Sequence, residues 1–453
     1  MMLTLSEAAR LAGGMLTGSG EAVIARITTD TRSLREGDLF VAIKGERFDG
    51  HDFAASALEQ GAAGVIVDEG FVGEQDGLIR VEDTRLALGH LAAGWRARFA
   101  VPLAGITGSN GKTTVKEMLA SILRAHAGQD AVLVTAGNFN NDIGLPLTLL
   151  GLNDSHRYAV IEMGMNHSGE LSYLTGLARP DVALVNNALR AHLGCFDSVE
   201  SIARAKSEIY EGLGEQGVAV FNAEDPNAAL FAAAAGSHRA LRFGLSAGDV
   251  HARTYNLGAD GSTLTIDTPQ GDIDVRLPVP GEHNVKNALA AAALALALDV
   301  PLATIGRGLT GFSGVSGRLQ KKTAHNGAQV IDDTYNANPD SMRAGLEVLS
   351  RLRAPRWFVM GDMGELGDTA DALHAEVGRT ARELNVDMLI TLGGASRHAS
   401  DAFGAPARHF DALEPLLAWL DSALPFNATV LVKGSHFMNM DRVVDHLVGQ
   451  KGK

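Results

Sequence analysis

At 453 residues the chain is too long for one hydrophobic core, so about two to four domains are expected. With 46% hydrophobic and 20% charged residues the composition is that of a soluble globular protein and excludes a disordered or fibrous one. The net charge of -14, from 53 acidic against 39 basic residues spread without long blocks, argues against a nucleic-acid partner, because phosphate backbones select basic faces.

No window is long and apolar enough for a membrane span, and the start Met1–Glu7 lacks the basic region and apolar core of a signal peptide. The single cysteine, Cys195, allows no internal disulfide and suits a reducing cytoplasm, and no partner residues mark it as a nucleophile. A cytoplasmic location follows. The chain has no heptad pattern, so a monomer is expected.

Residues 1–99 read as a small α/β domain, with helices over 5–11, 52–60 and 84–99 and strands over 39–43 and 64–68. Two polar loops sit at strand ends, one at 29–38 with Arg32 and Ser33, the other at 44–51 with Lys44, Arg47 and Phe48. They are either solvated turns or a site for an anionic, partly aromatic ligand such as a nucleotide.

The second domain, 100–313, opens with an apolar strand over 101–106, a glycine turn, and a helical pattern from Val115. The turn contains Thr107, Gly108, Ser109, Asn110, Gly111, Lys112, Thr113 and Thr114. Strand, glycine loop and helix are the setting of a phosphate cradle, since backbone N–H groups and the helix dipole face the anion. Lys112 is placed for terminal phosphates and Thr113 for Mg²⁺. The glycines at 105 and 108 depart from general P-loop spacing, which would place one at 106.

Further strands are expected over 131–135, 158–163, 181–187 and 217–222, giving a mostly parallel sheet whose ligand side is the carboxyl ends of the strands. Glu162 closes one strand and offers the hard carboxylate that Mg²⁺ takes. His192 follows another, and Lys206 lies on the next helix. Alternating patterns over 250–255, 262–267 and 272–277 read as an antiparallel excursion off that sheet. An alanine-rich helix then begins near Asn284 and Asn287, which share a face or cap the helix.

A Gly/Ser linker over 313–318 leads to a third domain, 314–453, with strands over 329–332, 357–361, 388–392 and 429–432 and helices between them. It reads as a second doubly wound, Rossmann-like sheet without a phosphate loop of its own. The overall fold class is therefore α/β in three domains.

Several segments together resemble the Mur ligase family over essentially the whole chain. They are Asp30–Ser33 with the run 37–43, Asp49–His51, the loop 105–114, the asparagine-rich 137–146, Glu162–Gly164, Ala191–His192, Ala205–Lys206, 281–288, Ser316–Arg318 and 332–342. The shifted glycine spacing is the family's own. The segment 332–342, and the absence of an Asp-Asn-Pro-Arg loop, separate this chain from relatives that add a diamino acid.

The resemblance implies an ATP- and Mg²⁺-dependent ligase of cell-wall precursor synthesis. It would join D-alanyl-D-alanine to UDP-N-acetylmuramoyl-tripeptide through an acyl phosphate. It implies Lys112, Glu162, His192 and Lys206 as catalytic, and Thr113, Glu162 and His192 as metal ligands. Asn284, Asn287, Arg318 and Asp333 would contact the nucleotide, with Asp332 an open alternative for the ribose. Ser33, Arg47, Phe48, Asn138 and Asn141 would contact the UDP substrate. Lys206 stands where family members carry a carbamoylated lysine, and an unmodified ion pair is the alternative. His436 stands where the family usually has arginine, which implies a weaker or pH-sensitive hold on the dipeptide.

Overall fold

The computed structural model describes residues 3–45, 48–191 and 193–449. The expected ligand-contacting residues Arg47 and His192 lie outside the described residues. Contacts group the chain into two compact units, one of residues 1–105, 127–183 and 208–217, the other of 106–126, 184–207 and 218–453.

In the first region five strands pair in the order Met15–Leu16, Leu78–Val81, Gly64–Asp68, Leu39–Val41, Ile27–Thr28. All pairings are parallel except that of Met15–Leu16 at the edge. Gly64–Asp68 is apolar without alternation and almost wholly buried, as a parallel strand covered on both faces requires. Helix Leu5–Ala12 starts at a capping box between Thr4 and Glu7. The Asp83 carboxylate accepts from the Arg85 and Leu86 amides to start helix Thr84–Arg96. The expected helix over 52–60 is a 3₁₀ turn, Gly50–Phe53, running into helix Ala54–Glu59.

Nine strands form the second sheet, in the order Gly271–Leu277, Ser262–Thr268, Val250–Leu257, Arg239–Gly244, Val218–Asn222, Val182–Val185, Leu103–Thr107, Tyr158–Glu162, Val132–Val134. The three strands expected to leave the sheet extend it instead. Val250–Leu257 pairs parallel with Arg239–Gly244, and the hairpin strands follow antiparallel. The strand Arg239–Gly244, unread in the sequence, supplies the edge they dock on. Helix Glu282–Ala297 buries six alanines without exposure, Ala288, Ala290, Ala291, Ala292, Ala293 and Ala295.

The third sheet has the order Gln320–Thr323, Gln329–Asp332, Thr429–Lys433, Arg356–Gly361, Met388–Leu392, Ala407–Phe410, parallel except at the first strand. Helices Pro339–Ser350 and Ala370–Glu383 pack one core through Met342, Leu346 and Val377. Helices Leu413–Ala423 and Asp441–Val448 pack the other through Leu416, Leu420 and Val443. The sense of winding therefore reverses at Thr429–Lys433, and loops at such a reversal are where open α/β sheets bind ligands. Those loops are tied together: Gly364 N donates to Ser435 Oγ (2.8 Å), Ser435 Oγ to the Ala337 carbonyl (3.3 Å) and Lys433 Nζ to the Asn336 carbonyl (2.9 Å). Among the described residues no helix is long and apolar enough to cross a membrane.

Candidate active site

Strand Leu103–Thr107 is buried throughout, and helix Lys112–Ala127 begins directly after the glycine turn. Gly111 has φ +82°, and a Cβ there would lie 2.3 Å from Asn287 Oδ1 and 2.6 Å from Asn186 Nδ2. Only glycine fits that position. At Gly108 a Cβ would come within 2.9 Å of the Asn186 Cβ, so the loop backbone runs close over its neighbours. Lys112 Nζ folds back to the carbonyls of Gly108 (2.7 Å) and Ser109 (3.5 Å).

A second loop, 186–191, holds the first in place. Ser109 N donates to the Asn187 carbonyl (3.0 Å), and Ser109 Oγ exchanges hydrogen bonds with the backbone of Leu189. Asn110 N donates to Asn187 Oδ1 (2.9 Å), while the Asn186 and Asn187 amides donate to the Asn110 carbonyl (2.9 and 3.1 Å). Asn186 Nδ2 also reaches Asn287 Oδ1 (3.1 Å), Asn287 Nδ2 reaches Asn284 Oδ1 (3.3 Å), and Asn284 Nδ2 reaches the Pro280 carbonyl (2.7 Å). Both helix asparagines are buried, and neither caps the helix, whose cap position is Gly281. Asn186 and Asn187 escape sequence reading because paired asparagines after an apolar strand look like an ordinary turn.

Around this loop the same unit gathers Arg318, Asp333 and Lys206. Arg318 Nη2 lies 3.4 Å from Thr113 Oγ1, and its guanidinium stacks 4.0 Å above the Tyr335 ring, whose edge meets His436. Asp333 Oδ1 accepts from Leu319 N (3.2 Å), and Oδ2 pairs with the buried Lys433 at 2.7 Å. Asp332 turns the other way, to Lys322 (2.8 Å) and the Thr334 hydroxyl (2.7 Å). Lys206 is fully buried; burial first, then the Lys112 charge, holds its amine well below the ordinary lysine value. Among the described residues, Thr107 Oγ1 and Arg318 Nε are buried with no hydrogen-bond partner, polar capacity that phosphate oxygens fit.

The remaining expected residues belong to the other unit. Glu162 ends its strand almost wholly buried, its N–H on Thr135 Oγ1 (3.0 Å) and its Oε1 accepting from Asn140 Nδ2 (3.0 Å). Asn141 Oδ1 accepts from Gly144 N (2.9 Å) and so shapes the turn before helix Gly144–Leu149; Asn138 is exposed. Ser33 ends a 3₁₀ turn and donates to the Asp30 carbonyl (3.2 Å). Phe48 is 75% exposed on a turn closed by the Lys44–Asp49 bridge. His51, which the sequence places only in the family motif Asp49–His51 without a role, braces that turn: its Nδ1 lies 2.6 Å from Asp49 Oδ1, and its Nε2 accepts from Asp68 N (3.0 Å). That acceptance fixes the proton of the neutral ring on Nδ1.

Three family models match the chain: the Mur ligase family catalytic domain over 23–96, the Mur ligase middle domain over 106–295, and the Mur ligase glutamate ligase domain over 317–436. The UDP-N-acetylmuramoyl-tripeptide--D-alanyl-D-alanine ligase of Escherichia coli is 42% identical over 446 residues, 98% of this chain and 97% of that protein. The chain belongs to the Mur ligase family. The enzyme of the same name from Bacillus subtilis is 34% identical to this Mur ligase, covering 94% of each chain. Among solved structures, MurF from Acinetobacter baumannii superposes with a TM-score of 0.92 at 40% identity over 99% of both chains. MurF ligase from Thermotoga maritima in complex with ADP superposes with 0.84 at 28% identity, over 94% of this chain and 97% of that one. The expected three-part α/β fold is thus the fold of this Mur ligase.

Proposed function

We propose that this chain is the ATP-dependent ligase that joins D-alanyl-D-alanine to UDP-N-acetylmuramoyl-tripeptide in peptidoglycan precursor synthesis. The full-length likeness to ligases of that name supports it. The observation that carries it structurally is the glycine loop pressed on Asn186 and Asn287, with Lys112 above it and Arg318 at its edge. Three functional domains are proposed, 1–99 for the UDP end, 100–313 for ATP, and 314–453 for the dipeptide and one wall of the nucleotide site. The family matches, at 23–96, 106–295 and 317–436, favour that division.

In this reading the tripeptide carboxylate attacks the γ-phosphorus, the bond to the β-phosphate oxygen breaks, and ADP leaves. The dipeptide amine then attacks the acyl carbon of the acyl phosphate and expels inorganic phosphate. The first step sets an anion against a polyanion, so cations must lie between them. Lys112 and Arg318 supply two fixed ones. Bound Mg²⁺ would neutralise phosphate charge, one ion with the Thr113 hydroxyl and the Glu162 carboxylate as its proposed protein ligands and a second with His192. Asn284 and Asn287 are assigned to the adenine. Asp333 is preferred to Asp332 for the ribose, because it shares its surroundings with Lys433 and Arg318. For Lys206 the carbamoylated form is favoured: a neutral amine is the species that adds CO₂, and burial beside Lys112 stabilises that form.

Ser33, Arg47, Phe48, Asn138 and Asn141 are assigned to the UDP substrate. Action as a monomer in the cytoplasm, where ATP is supplied, completes the proposal. ADP release by purified protein with ATP, Mg²⁺ and UDP-N-acetylmuramoyl-tripeptide is expected to rise on adding D-alanyl-D-alanine, with the amide seen by mass spectrometry. Release indifferent to the dipeptide would sink the ligase reading.

A further inference from the structure

Loop 186–191, which braces the phosphate loop, carries at its far end an arginine that points away from it. Arg190 N donates to Asp340 Oδ2 (2.9 Å), and its Nε and Nη2 reach Asp340 Oδ1 (3.2 and 2.8 Å). The other edge of the guanidinium meets Glu376, Nη1 to Oε2 at 2.9 Å and Nη2 to Oε1 at 3.0 Å. One planar cation is therefore held by two carboxylates, Glu376 of helix Ala370–Glu383 in a two-oxygen fork and Asp340 of helix Pro339–Ser350 through one oxygen, the other taking the Arg190 backbone N–H. All three side chains are about two-thirds buried or more, so solvent screens the grip only partly.

A second link runs alongside. Asn110 in the phosphate loop and Asn338 exchange reciprocal amide hydrogen bonds, 3.2 Å in one direction and 2.7 Å in the other. Asn338 is also the N-cap of helix Pro339–Ser350, accepting from Ser341 N at 2.9 Å. Asn338 and Asp340, two residues apart at one helix start, thus each hold a different loop of the phosphate end. The segment they anchor continues from Asp333 through Tyr335, the partner of Arg318.

We propose that Arg190, with Asp340 and Glu376, forms a clasp that fixes the start of helix Pro339–Ser350 against the phosphate loop. Arg190 thereby acts as a positioning residue for handing the activated acyl group to the amine. The inference deepens the ligase reading above and rests on it. Asn338 is a poor handle because its loss also uncaps the helix, whereas every hydrogen bond described for the Arg190 side chain goes to Asp340 or Glu376.

The test measures ADP and amide in the same reaction for full-length wild type, Arg190→Ala, Arg190→Lys and Glu376→Gln. Wild type is expected to release one ADP per amide formed. In Arg190→Ala the ratio is expected to rise at least threefold: water attacks the waiting acyl carbon, the bond to the phosphate oxygen breaks, and tripeptide carboxylate and phosphate are returned. Arg190→Lys, able to keep one contact, should fall between. A variant that only folds poorly loses both products together, so a ratio of one in both Arg190→Ala and Glu376→Gln overturns the proposal. Hydrogen exchange at the Ser341 and Met342 amides, read without substrates, tests the clasp separately. At least tenfold faster exchange in Arg190→Ala is expected, and unchanged exchange overturns it. Wild type that forms no amide would overturn the ligase reading instead, leaving the exchange result to decide the clasp.

Discussion

Around Gly111 the shape of the site is set by buried amides and close backbone approach, with Asn186, Asn187, Asn284 and Asn287 hydrogen-bonded in series. Around Phe48 it is set by a turn whose large aromatic side chain stands in solvent and which His51 and the Lys44–Asp49 bridge brace. The first arrangement is tied together by its own hydrogen bonds; the second keeps its contact surface outside the core. A phosphate, the same in every nucleotide, suits a prebuilt cradle. The contrast predicts that substitutions in the first region act on fold and turnover together, and those in the second on substrate binding alone.

The largest expected effect is that of Gly111→Ala. The new methyl meets Asn287 Oδ1 at 2.3 Å on a backbone of φ +82°, so a stability loss of about 3 kcal/mol is expected. ATP affinity should fall at least hundredfold; chemical denaturation and calorimetric nucleotide binding read the two. A normal ATP affinity in this variant would break the comparison at its stronger side.

The second effect is pH-dependent. Burial pushes His283, at the start of the alanine-rich helix, down from 6.5 to about 4, with Asp333 opposing and Lys433 and Lys286 adding to the shift. Below pH 6.5 the unfolded chain takes up a proton that the folded chain refuses until about pH 4, so stability present above 6.5 is lost as pH falls through that window. The loss should be about 2–3 kcal/mol. Melting curves of wild type and His283→Gln across this range check it, since the variant should lack that slope.

The smallest effect is that of Phe48→Ala. With the ring 75% exposed, stability should change by less than about 0.5 kcal/mol, while KM for the UDP substrate rises about three- to tenfold and KM for ATP stays put. A drop in melting temperature with no change in KM would reverse the assignment of this turn from binding to folding.

Much of this contrast is legible in the sequence, but unevenly. Continuous apolar runs declare themselves: 64–68 and 388–392 are strands with the bounds expected. The edge strand Gln320–Thr323 reads Gln-Lys-Lys-Thr and carries no hydrophobic pattern, so only pairing with Gln329–Asp332 reveals it. Whether 250–277 extends or leaves the sheet depends on the non-local partner Arg239–Gly244, which no local pattern reports. In the site, Lys112, Thr113, Asn284, Asn287, Arg318, Asp333 and Lys206 are legible as sequence motifs, and they fall in one unit. The braces to which the sequence assigns no role, Asn186, Asn187, Lys433 and Arg190, bind other residues rather than announce a chemistry of their own. Their identity as braces exists only once the chain is folded.

The six unexposed alanines of helix Glu282–Ala297 have a consequence beyond burial. A methyl is the thinnest side chain that still fills a core, so the helix axis lies as near to the layer beneath it as packing allows. Asparagine is a short side chain, and Asn287 reaches Gly111 because its backbone is held that close. The alanines are in effect a shim of fixed thickness. A single leucine among them would lift the helix and draw the Asn287 amide away from Gly111, so the permitted drift of these plain-looking positions is set by a polar contact several residues away.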